Sequence, residues 1–318
     1  MHNNIDLFET IPCPLCGSTE FKAIYPSKYP IRILKNDLLQ IYRSSSDQKL
    51  LDQMVSCTSC SLVYLNPRVN SAIILESYST SVDPTFVKQN KMRVRTFDRA
   101  LRRLIEQFGI VIGKRKRILD IGCAGGAFLK AARDLGFSVV GVEPSSWLCE
   151  YGKNEYGLDL RSGVLSEQDF DSASFDIIAL WDVIEHLPQP QEVLANIRTL
   201  LKDDGLLIIN YPNYDSWAAR LLGSKWPFLL SVHLFYYTPK TISKQLEQCG
   251  FRIIQTKPYW QVLELGYILR RASQYFKFFG VFETIVELVG LSTLSTMYNM
   301  GQTQVIAKKI KSLAREYK

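Results

Sequence analysis

The stretch RILDIGCAGGAFL at residues 117–129 decides the fold, because it combines three local structures in one short run. RILDI reads as the apolar run of a buried strand, and AFL reads as the start of a helix. The glycines between them predict a tight turn that a ligand can approach closely. Free backbone N–H groups at the helix start add possible ligand contacts. The stretch therefore predicts a strand–turn–helix unit with a ligand site at the turn.

A second apolar strand, SVVGV at residues 138–142, ends in the acidic residue Glu143. It follows the glycine-rich turn by about twenty residues, which is the spacing of folds that bind dinucleotides. A carboxylate at this position can accept hydrogen bonds from both hydroxyls of a ribose. We therefore expect the chain to bind a small molecule that contains adenosine. The alternative is a doubly wound domain whose glycine turns are purely structural.

The turn itself distinguishes between adenosine cofactors. A nicotinamide enzyme would carry G-x-G-x-x-G, whereas this turn reads Asp120-x-Gly122-x-x-Gly125-Gly126. A carboxylate at the strand end would repel a pyrophosphate, but it suits the cationic amino-acid end of S-adenosylmethionine. At these residues the chain resembles the class I S-adenosylmethionine-dependent methyltransferases. Their first motif is D-x-G-x-G-x-G, and Ala124 replaces the middle glycine here.

Three further stretches extend this resemblance over roughly residues 91–260. FDIIALWDVIEHL at 175–187 resembles the fourth strand of the family and the turn after it. GLLIINYPN at 205–213 resembles the fifth strand, and HLFYYTP at 233–239 resembles the segment before the sixth. The resemblance implies a doubly wound, Rossmann-like α/β fold with a seven-stranded sheet.

The resemblance also implies which residues hold the cofactor and how the reaction runs. The methyl group would be transferred by direct displacement, so the protein mainly aligns the acceptor, the methyl group and the sulfur. The cofactor-binding residues implied are Asp120, Gly122 and Gly125 at the first turn, Glu143 at the ribose, and Val164, Leu165 and Trp181 beside the adenine or the sulfonium.

Two histidines are candidate catalytic bases, because an imidazole titrates near neutral pH. His186 follows the fourth strand, and His233 begins an aromatic run. Structural interpretations stay open for both: His186 can cap the turn before Pro188, and His233 can be a core residue hydrogen-bonded to the backbone. Tyr211 and Tyr236 are weaker candidates, because buried tyrosines usually only satisfy their hydroxyls.

Four of the seven cysteines form two C-x-x-C pairs, Cys13 with Cys16 and Cys57 with Cys60. This spacing lets two thiolates bind one tetrahedral metal, and four such ligands predict a closed, structural Zn²⁺ site. The 40 residues between the pairs exceed the usual gap of a compact ribbon, so an insert is expected there. Disulfides or a redox pair are the alternatives.

The cysteine pairs also carry a resemblance of their own. CPLCG followed by C-x-x-C-x-L-V-Y-x-N-P is similar to the N-terminal ribbon of a methyltransferase subgroup that often occurs in glycan or secondary-metabolite pathways. The sequence is therefore divided into three parts. We expect a zinc-ribbon-like module at 1–70, a helical linker at 71–113 and a methyltransferase domain at 114–318.

The composition is that of an ordinary globular protein, with 47% hydrophobic and 22% charged residues among 318. The N-terminus does not resemble a signal peptide, and no run of eighteen apolar residues predicts a membrane helix. From these features we expect a cytoplasmic protein. Peripheral contact with a membrane surface stays an alternative.

Basic residues cluster at 91–117, which holds ten of them against Asp98 and Glu106. One interpretation is a patch for a phosphate-bearing substrate or nucleic acid, and the other is a solvated helix face. No [DN]-P-P-[FY] motif follows the fourth strand, so nucleobase methylation is disfavoured. An RNA methyltransferase and a non-catalytic ribbon protein on a degenerate core remain alternative functions.

The segment 259–301 separates the predicted sixth and seventh strands and is rich in Phe, Leu, Ile and Tyr. One interpretation is a helical insert that packs on the sheet. The other is a lid over the acceptor, or a segment that contacts a membrane surface or a lipid-linked substrate. The expected function is methyl transfer to a small-molecule acceptor, namely a sugar, a nucleotide-sugar or a glycolipid-like intermediate.

Overall fold

The structure, a computed structural model, describes residues 6–43, 48–82, 84–113, 115–273 and 278–310. The predicted boundary at Lys114, the chain ends at 1–5 and 311–318, and residues 274–277 of the apolar insert lie outside the described residues. The elements of the N-terminal part are β1 (Phe8–Glu9), β2 (Phe21–Tyr25), α1 (Lys35–Ile41), β3 (Met54–Cys57), β4 (Val63–Leu65), β5 (Arg68–Val69), α2 (Ser71–Ser79), α3 (Pro84–Lys88) and α4 (Asn90–Phe108).

In the remaining elements as far as β12, α-helices follow most of the strands. In chain order they are β6 (Arg117–Ile121), α5 (Ala127–Asp134), β7 (Ser138–Glu143), α6 (Ser146–Tyr156), β8 (Leu160–Ser162), β9 (Phe175–Trp181), α7 (Pro190–Leu200), β10 (Leu201–Pro212), α8 (Trp217–Leu222), β11 (Phe235–Tyr236), α9 (Pro239–Gln248), β12 (Phe251–Pro258), β13 (Gln261–Glu264), α10 (Leu265–Ser273), α11 (Phe278–Leu288), β14 (Ser295–Tyr298) and β15 (Gln302–Lys309).

Seven strands form the central sheet in the order β12-β15-β10-β9-β6-β7-β8. Strands β6 to β10 are parallel, and β15 is inserted antiparallel between β10 and β12. The predicted seven-stranded, doubly wound fold is confirmed. The strand order reverses beside β6, because β7 lies on one side of it and β9 on the other. Ligands bind at such a switch point, at the carboxyl ends of the strands.

Strand β10 begins earlier than predicted. The sequence predicts this strand at 205–213, but α7 ends at Leu200 and β10 begins at Leu201. The pairing of β10 with β9 is irregular between Leu201 and Leu206. A Cβ on Gly205 would lie 2.8 Å from the Leu201 side chain, so this irregular segment folds tightly on itself and requires glycine. The pattern of apolar residues gives no signal for such an irregularity.

The N-terminal module shares a sheet with the central part of the chain. Strands β2, β3 and β4 form an antiparallel ribbon, and β11 extends it by pairing with β4. In this pairing Phe235 lies opposite Tyr64. One hydrophobic core also joins both parts, because Leu38 and Tyr64 belong to the same buried cluster as Leu207. The module is therefore integrated into the fold, which the sequence analysis did not predict.

The insert at 259–301 is a helical hairpin, α10 and α11, carried on the antiparallel strand pair β13–β14. The helices were predicted, whereas the strand pair was missed. The pair is fixed to α4, because the Val262 N–H donates to Thr96 Oγ1 at 2.9 Å. The structure describes every residue of α11, and none of them is buried. The interpretation of this segment as a helix packed on the sheet is therefore wrong for α11.

None of the helices in the described residues is long and apolar enough to cross a membrane.

Candidate functional site

The four predicted metal ligands lie together in the N-terminal module. All four Sγ atoms lie within 4.8 Å of one another, and the pairs Cys13–Cys60 and Cys16–Cys57 are each 3.5 Å apart. Tetrahedral zinc with Zn–S bonds of 2.3 Å would place the sulfurs about 3.8 Å apart. Gly17 has a φ of +74°, and its N–H donates to the Cys13 carbonyl at 2.8 Å, which forms the tight knuckle. These residues fit a closed Cys₄ zinc site.

The glycine-rich turn after β6 has little room for side chains. Gly122 has a φ of +65°, and a Cβ there would lie 2.7 Å from Cγ2 of Val183. A Cβ on Gly125 would lie 2.9 Å from Nδ2 of Asn90. The N–H of Gly122 donates to the Val142 carbonyl at 2.8 Å, which ties the turn to β7. At this turn, backbone atoms without side chains therefore line the crevice at the strand ends.

Two buried carboxyl groups, Asp120 and Glu143, flank this turn. Glu143 accepts hydrogen bonds from the backbone N–H groups of Ala124 at 2.9 Å and Ser145 at 3.0 Å. Among the described residues, Oδ1 of Asp120 has no hydrogen-bond partner. Burial, followed by the charge of Glu143, raises the pKa of Asp120 well above its usual value. Burial also raises the pKa of Glu143 to about 7, although its two backbone hydrogen bonds oppose the shift.

A single cavity of about 1060 Å³ connects these groups with the rest of the predicted site. It begins at the carboxyl ends of β6, β7 and β9, where the topology places a ligand crevice. A cavity of this volume can hold a cofactor and a small acceptor together. The predicted site residues that line it are Asp120, Gly122, Gly125, Glu143, Val164, Leu165, Trp181, His186 and His233.

Trp181, at the end of β9, belongs to an aromatic wall of the cavity. Its ring centroid lies 4.9 Å from that of Phe97, 5.3 Å from that of Phe128 and 5.1 Å from that of Tyr259. These rings come from α4, α5 and the start of the insert. They would pack apolar surface against a planar ligand.

Below this wall, Asp182 has a φ of +55° and is held by two amide side chains. It accepts hydrogen bonds from Asn210 Nδ2 at 2.6 Å and from Gln302 Nε2 at 3.1 Å. Burial raises the pKa of Asp182 to about 6, while these two hydrogen bonds oppose the shift. The sequence analysis did not single out this network, which fixes the turn that leads to His186.

The two histidines lie side by side, with ring centroids 4.7 Å apart. Nδ1 of His186 lies 2.9 Å from the carbonyl of Val232, and Nδ1 of His233 lies 2.8 Å from that of Phe228. Because a carbonyl only accepts, each Nδ1 carries the hydrogen, and each neutral ring keeps a lone pair on Nε2. Burial lowers the pKa of His186 to about 4 and that of His233 well below its usual value.

Glu185 adds a carboxyl group to the histidine pair. Its Oε1 lies 3.9 Å from Nε2 of His186, and the ligand-capable atoms of Glu185, His186 and His233 all lie within 4.8 Å of one another. Neither carboxyl oxygen has a hydrogen-bond partner in the part of the chain that the structure describes. Burial, followed by the charge of Asp182, raises the pKa of Glu185. A ligand that donates hydrogen bonds would suit this cluster.

The two tyrosines proposed as weaker bases lie elsewhere. Tyr236 donates its hydroxyl to the Leu230 carbonyl at 2.8 Å, and Tyr211 is fully buried. Neither belongs to the described lining of the cavity. Sequence reasoning missed Tyr78 of α2, whose hydroxyl oxygen lies 2.9 Å from Nδ1 of His186. It also missed Asn90, which is buried beside Gly125. Neither residue stands in a motif that could have indicated its position.

The family model described as "Methyltransferase domain" matches residues 92–256. A protein of Coxiella burnetii named "Ubiquinone biosynthesis O-methyltransferase" is 27% identical over 153 residues, which cover 44% of this chain and 65% of that protein. A protein of the same name from Glaesserella parasuis is 31% identical over 117 residues, which cover 34% of this chain and 50% of that protein. The chain thus spans less than two thirds of the length of these curated relatives.

Two methyltransferases of known structure match about 70% of the chain. A SAM-dependent methyltransferase from Archaeoglobus fulgidus matches 71% of this chain and 100% of its own, with 20% identity and a TM-score of 0.48. The magnesium protoporphyrin IX methyltransferase from Synechocystis PCC 6803 matches 72% of this chain and 90% of its own, with 14% identity and a TM-score of 0.47.

Proposed function

The chain belongs to the methyltransferase-domain family, and on this premise we propose that it transfers a methyl group from S-adenosylmethionine to a small-molecule acceptor. One observation carries the proposal. The same cavity is lined by the carboxyl groups of Asp120 and Glu143 at one part and by the imidazoles of His186 and His233 at another. A cofactor site and a proton-accepting site would thus share one cavity.

The residues around the glycine turn fit the cofactor. Asp120 has a buried oxygen without a described partner, which suits the positively charged methionine end. Glu143 keeps further lone pairs for ribose hydroxyls, because each of its oxygens accepts one hydrogen bond from the backbone. Val164, Leu165 and Trp181 supply apolar surface for the adenine. When bound, S-adenosylmethionine supplies an activated methyl group.

The histidine pair would accept the proton that an acceptor hydroxyl or acidic carbon loses. Each imidazole is fixed by a hydrogen bond from Nδ1 to a backbone carbonyl, so Nε2 is the atom that takes up the proton. Burial raises the pKa of Glu185, but a positive imidazolium 3.9 Å from its Oε1 would favour the ionised form of this carboxyl group, which in turn would stabilise the imidazolium.

Within the small-molecule class we propose a sugar, nucleotide-sugar or glycolipid-like acceptor. Glu185 and the two imidazoles offer acceptor atoms to a ligand, and a polyhydroxyl ligand supplies the matching donors. The guanidinium groups of Arg43, Arg93 and Arg271 also line the cavity, and guanidinium is well suited to phosphate. The curated relatives are named O-methyltransferases, which agrees with transfer to oxygen.

We propose a structural zinc ion at the four cysteines. Four protein ligands leave no open position, so the ion would stabilise the ribbon and take no part in the reaction. The site lies on the β3–β4 hairpin, which pairs with β11 just after His233. The ribbon would therefore support the acceptor side of the cavity.

The function is tested by calorimetric titration of the full chain, with its zinc content measured, against S-adenosylmethionine and against NAD. We expect micromolar binding of the first alone, and at least tenfold weaker binding by Asp120→Ala and Glu143→Ala. Transfer of a labelled methyl group is then measured over a panel of sugars, nucleotide-sugars and glycolipids. Folded protein that binds no S-adenosylmethionine would overturn the proposal. Turnover only on RNA would overturn the acceptor class alone.

A further inference from the structure

Helix α11 presents a row of large apolar side chains to solvent. These residues, called here the α11 stripe, are between 49% and 81% exposed. They recur with the spacing of one helix face, since they are separated by three or four positions along the chain. The stripe consists of Val281, Phe282, Ile285, Leu288 and Val289.

The opposite side of α11 is already occupied by its own hairpin. Phe279, Glu283 and Val286 are less exposed than the stripe. Across the hairpin, Arg270 of α10 donates to Glu283 at 2.8 Å and to Glu287 at 3.3 Å. The two charged residues of α11 are therefore paired with α10. The stripe is the face of the helix that the described chain leaves uncovered.

The exposed apolar surface continues beyond the helix through Leu291, Leu294 and Met297, each about half exposed. The exposed parts of these eight large apolar side chains, at roughly 100 Å² each, amount to roughly 800 Å². The largest apolar patch of a monomeric protein is usually about 300–600 Å². A standard protein–protein interface buries about 800 Å² on each partner. The uncovered surface thus matches the requirement of a stable dimer.

The charges of α11 favour a protein partner over a bilayer. Helices that lie on membranes carry Lys or Arg on their polar face, and these bind anionic lipids. The sequence of α11, FFGVFETIVEL, contains two glutamates and no Lys or Arg. Arg270, the basic residue beside the helix, is paired with both glutamates. An anionic membrane surface would repel the two glutamates. The uncharged α11 stripe can instead pack against the same stripe of a second copy.

We propose that the α11 stripe is the interface of a two-fold symmetric dimer, in which α11 packs against α11 of a second copy. An interface of this kind uses the same patch on both subunits. Helix α10, on which α11 rests, lines the cavity with Tyr267, Ile268 and Arg271. The dimer would therefore hold this wall of the acceptor cavity in place. This inference stands on the surface of α11 and does not rest on the proposed activity.

The test is the mass of the full chain in solution, measured by analytical ultracentrifugation from 1 to 50 µM. We expect twice the monomer mass of 36.4 kDa. The double variant Val281→Glu/Ile285→Glu should sediment as a monomer. The milder variant Leu288→Ala should weaken the dimer at least tenfold while it keeps the helix. The control Val111→Glu changes a side chain that is 73% exposed outside the hairpin, and it should leave the dimer intact.

Circular dichroism confirms that each variant is folded before its mass is interpreted. A wild-type monomer over the whole range overturns the proposal. A dimer that persists in both stripe variants also overturns it, because the interface then lies elsewhere. In parallel, flotation with vesicles of three parts phosphatidylcholine and one part phosphatidylglycerol measures binding of the chain to a lipid surface. A monomer that floats with the vesicles through Val281 and Ile285 would show that the stripe meets lipid.

Discussion

Nδ1 of His186 donates a hydrogen bond of 2.9 Å to the carbonyl of Val232, the residue before His233. This contact joins the turn after β9 to the segment that leads into β11. It fixes the tautomer of His186 and sets the two imidazoles edge to face, with centroids 4.7 Å apart. The two candidate bases, 47 positions apart in sequence, are therefore positioned as one unit.

If the pair accepts the proton, His186→Gln and His233→Gln should each lower kcat by at least about 100-fold, the usual contribution of a general base. The affinity for S-adenosylhomocysteine should stay within about threefold, because neither imidazole contacts the predicted cofactor residues in the glycine turn. Methyl transfer and calorimetry measure the two effects. Tyr236→Phe is the matched control, since it removes only a hydroxyl that bonds the Leu230 carbonyl, and Tyr236 does not belong to the described lining of the cavity. An equally large decrease of kcat in Tyr236→Phe would indicate that the histidine variants lose activity through a folding defect.

Cofactor affinity should fall as the pH is lowered from 8 to 6. Burial raises the pKa of Glu143 to about 7, so the carboxyl group takes up a proton in this range. A ribose needs the ionised form as its acceptor. Binding must therefore release the proton, and affinity should drop about tenfold for each pH unit below 7. Calorimetry at several pH values measures the slope. In Glu143→Gln we expect weaker binding and a smaller slope, and an unchanged slope would assign the effect to Asp120.

Much of this site follows from short sequence signals. Asp120, Gly122 and Glu143 stand at strand ends in a recognisable order, and parallel strands bring their ends together. Tyr78 and Asn90 lie on α2 and α4, outside the predicted sheet, so no local pattern indicates that they reach the cavity. The pairing of β11 with β4 joins segments about 170 residues apart. The local spacing of apolar residues does not indicate which distant segments pair.

The glycine turn allows a direct test of why Gly122 is glycine. Alanine there must adopt a φ of +65° and place its Cβ 2.7 Å from Val183, so Gly122→Ala should destabilise the fold by about 3 kcal/mol. Gly109→Ala has a similar φ of +58°, but its Cβ would meet nothing within 4 Å in the described chain. It should cost only about 1 kcal/mol.

Denaturant unfolding compares the two glycine variants with the wild type. The double variant Gly122→Ala/Val183→Ala should recover part of the lost stability, because it removes the close contact and leaves the backbone strain. Equal destabilisation by Gly122→Ala and Gly109→Ala would show that the contact with Val183 has no energetic weight. Cofactor affinity should fall in Gly122→Ala only, since Gly109 lies at the end of α4.

Loss of the metal should loosen the segment that carries His233. The Leu65 N–H donates to the Leu234 carbonyl at 3.0 Å, and the Leu51 N–H donates to Ser231 Oγ at 2.9 Å. The module thus holds this segment from both sides, and the cysteine cluster fixes the hairpin of β3 and β4. Because structural zinc contributes directly to folding, its removal should release these contacts first.

Hydrogen–deuterium exchange before and after chelation measures this effect. We expect the amides of Leu51, Leu65 and Ser231, whose hydrogen bonds join the module to this segment, to exchange at least about tenfold faster without metal. Strands β6 and β7 should keep their protection inside the parallel sheet. Cys60→Ser should reproduce the change. Cys249→Ser, a cysteine outside the cluster, should not. If these three amides exchange at the same rate after the metal is lost, the module holds the His233 segment without help from the cysteine site.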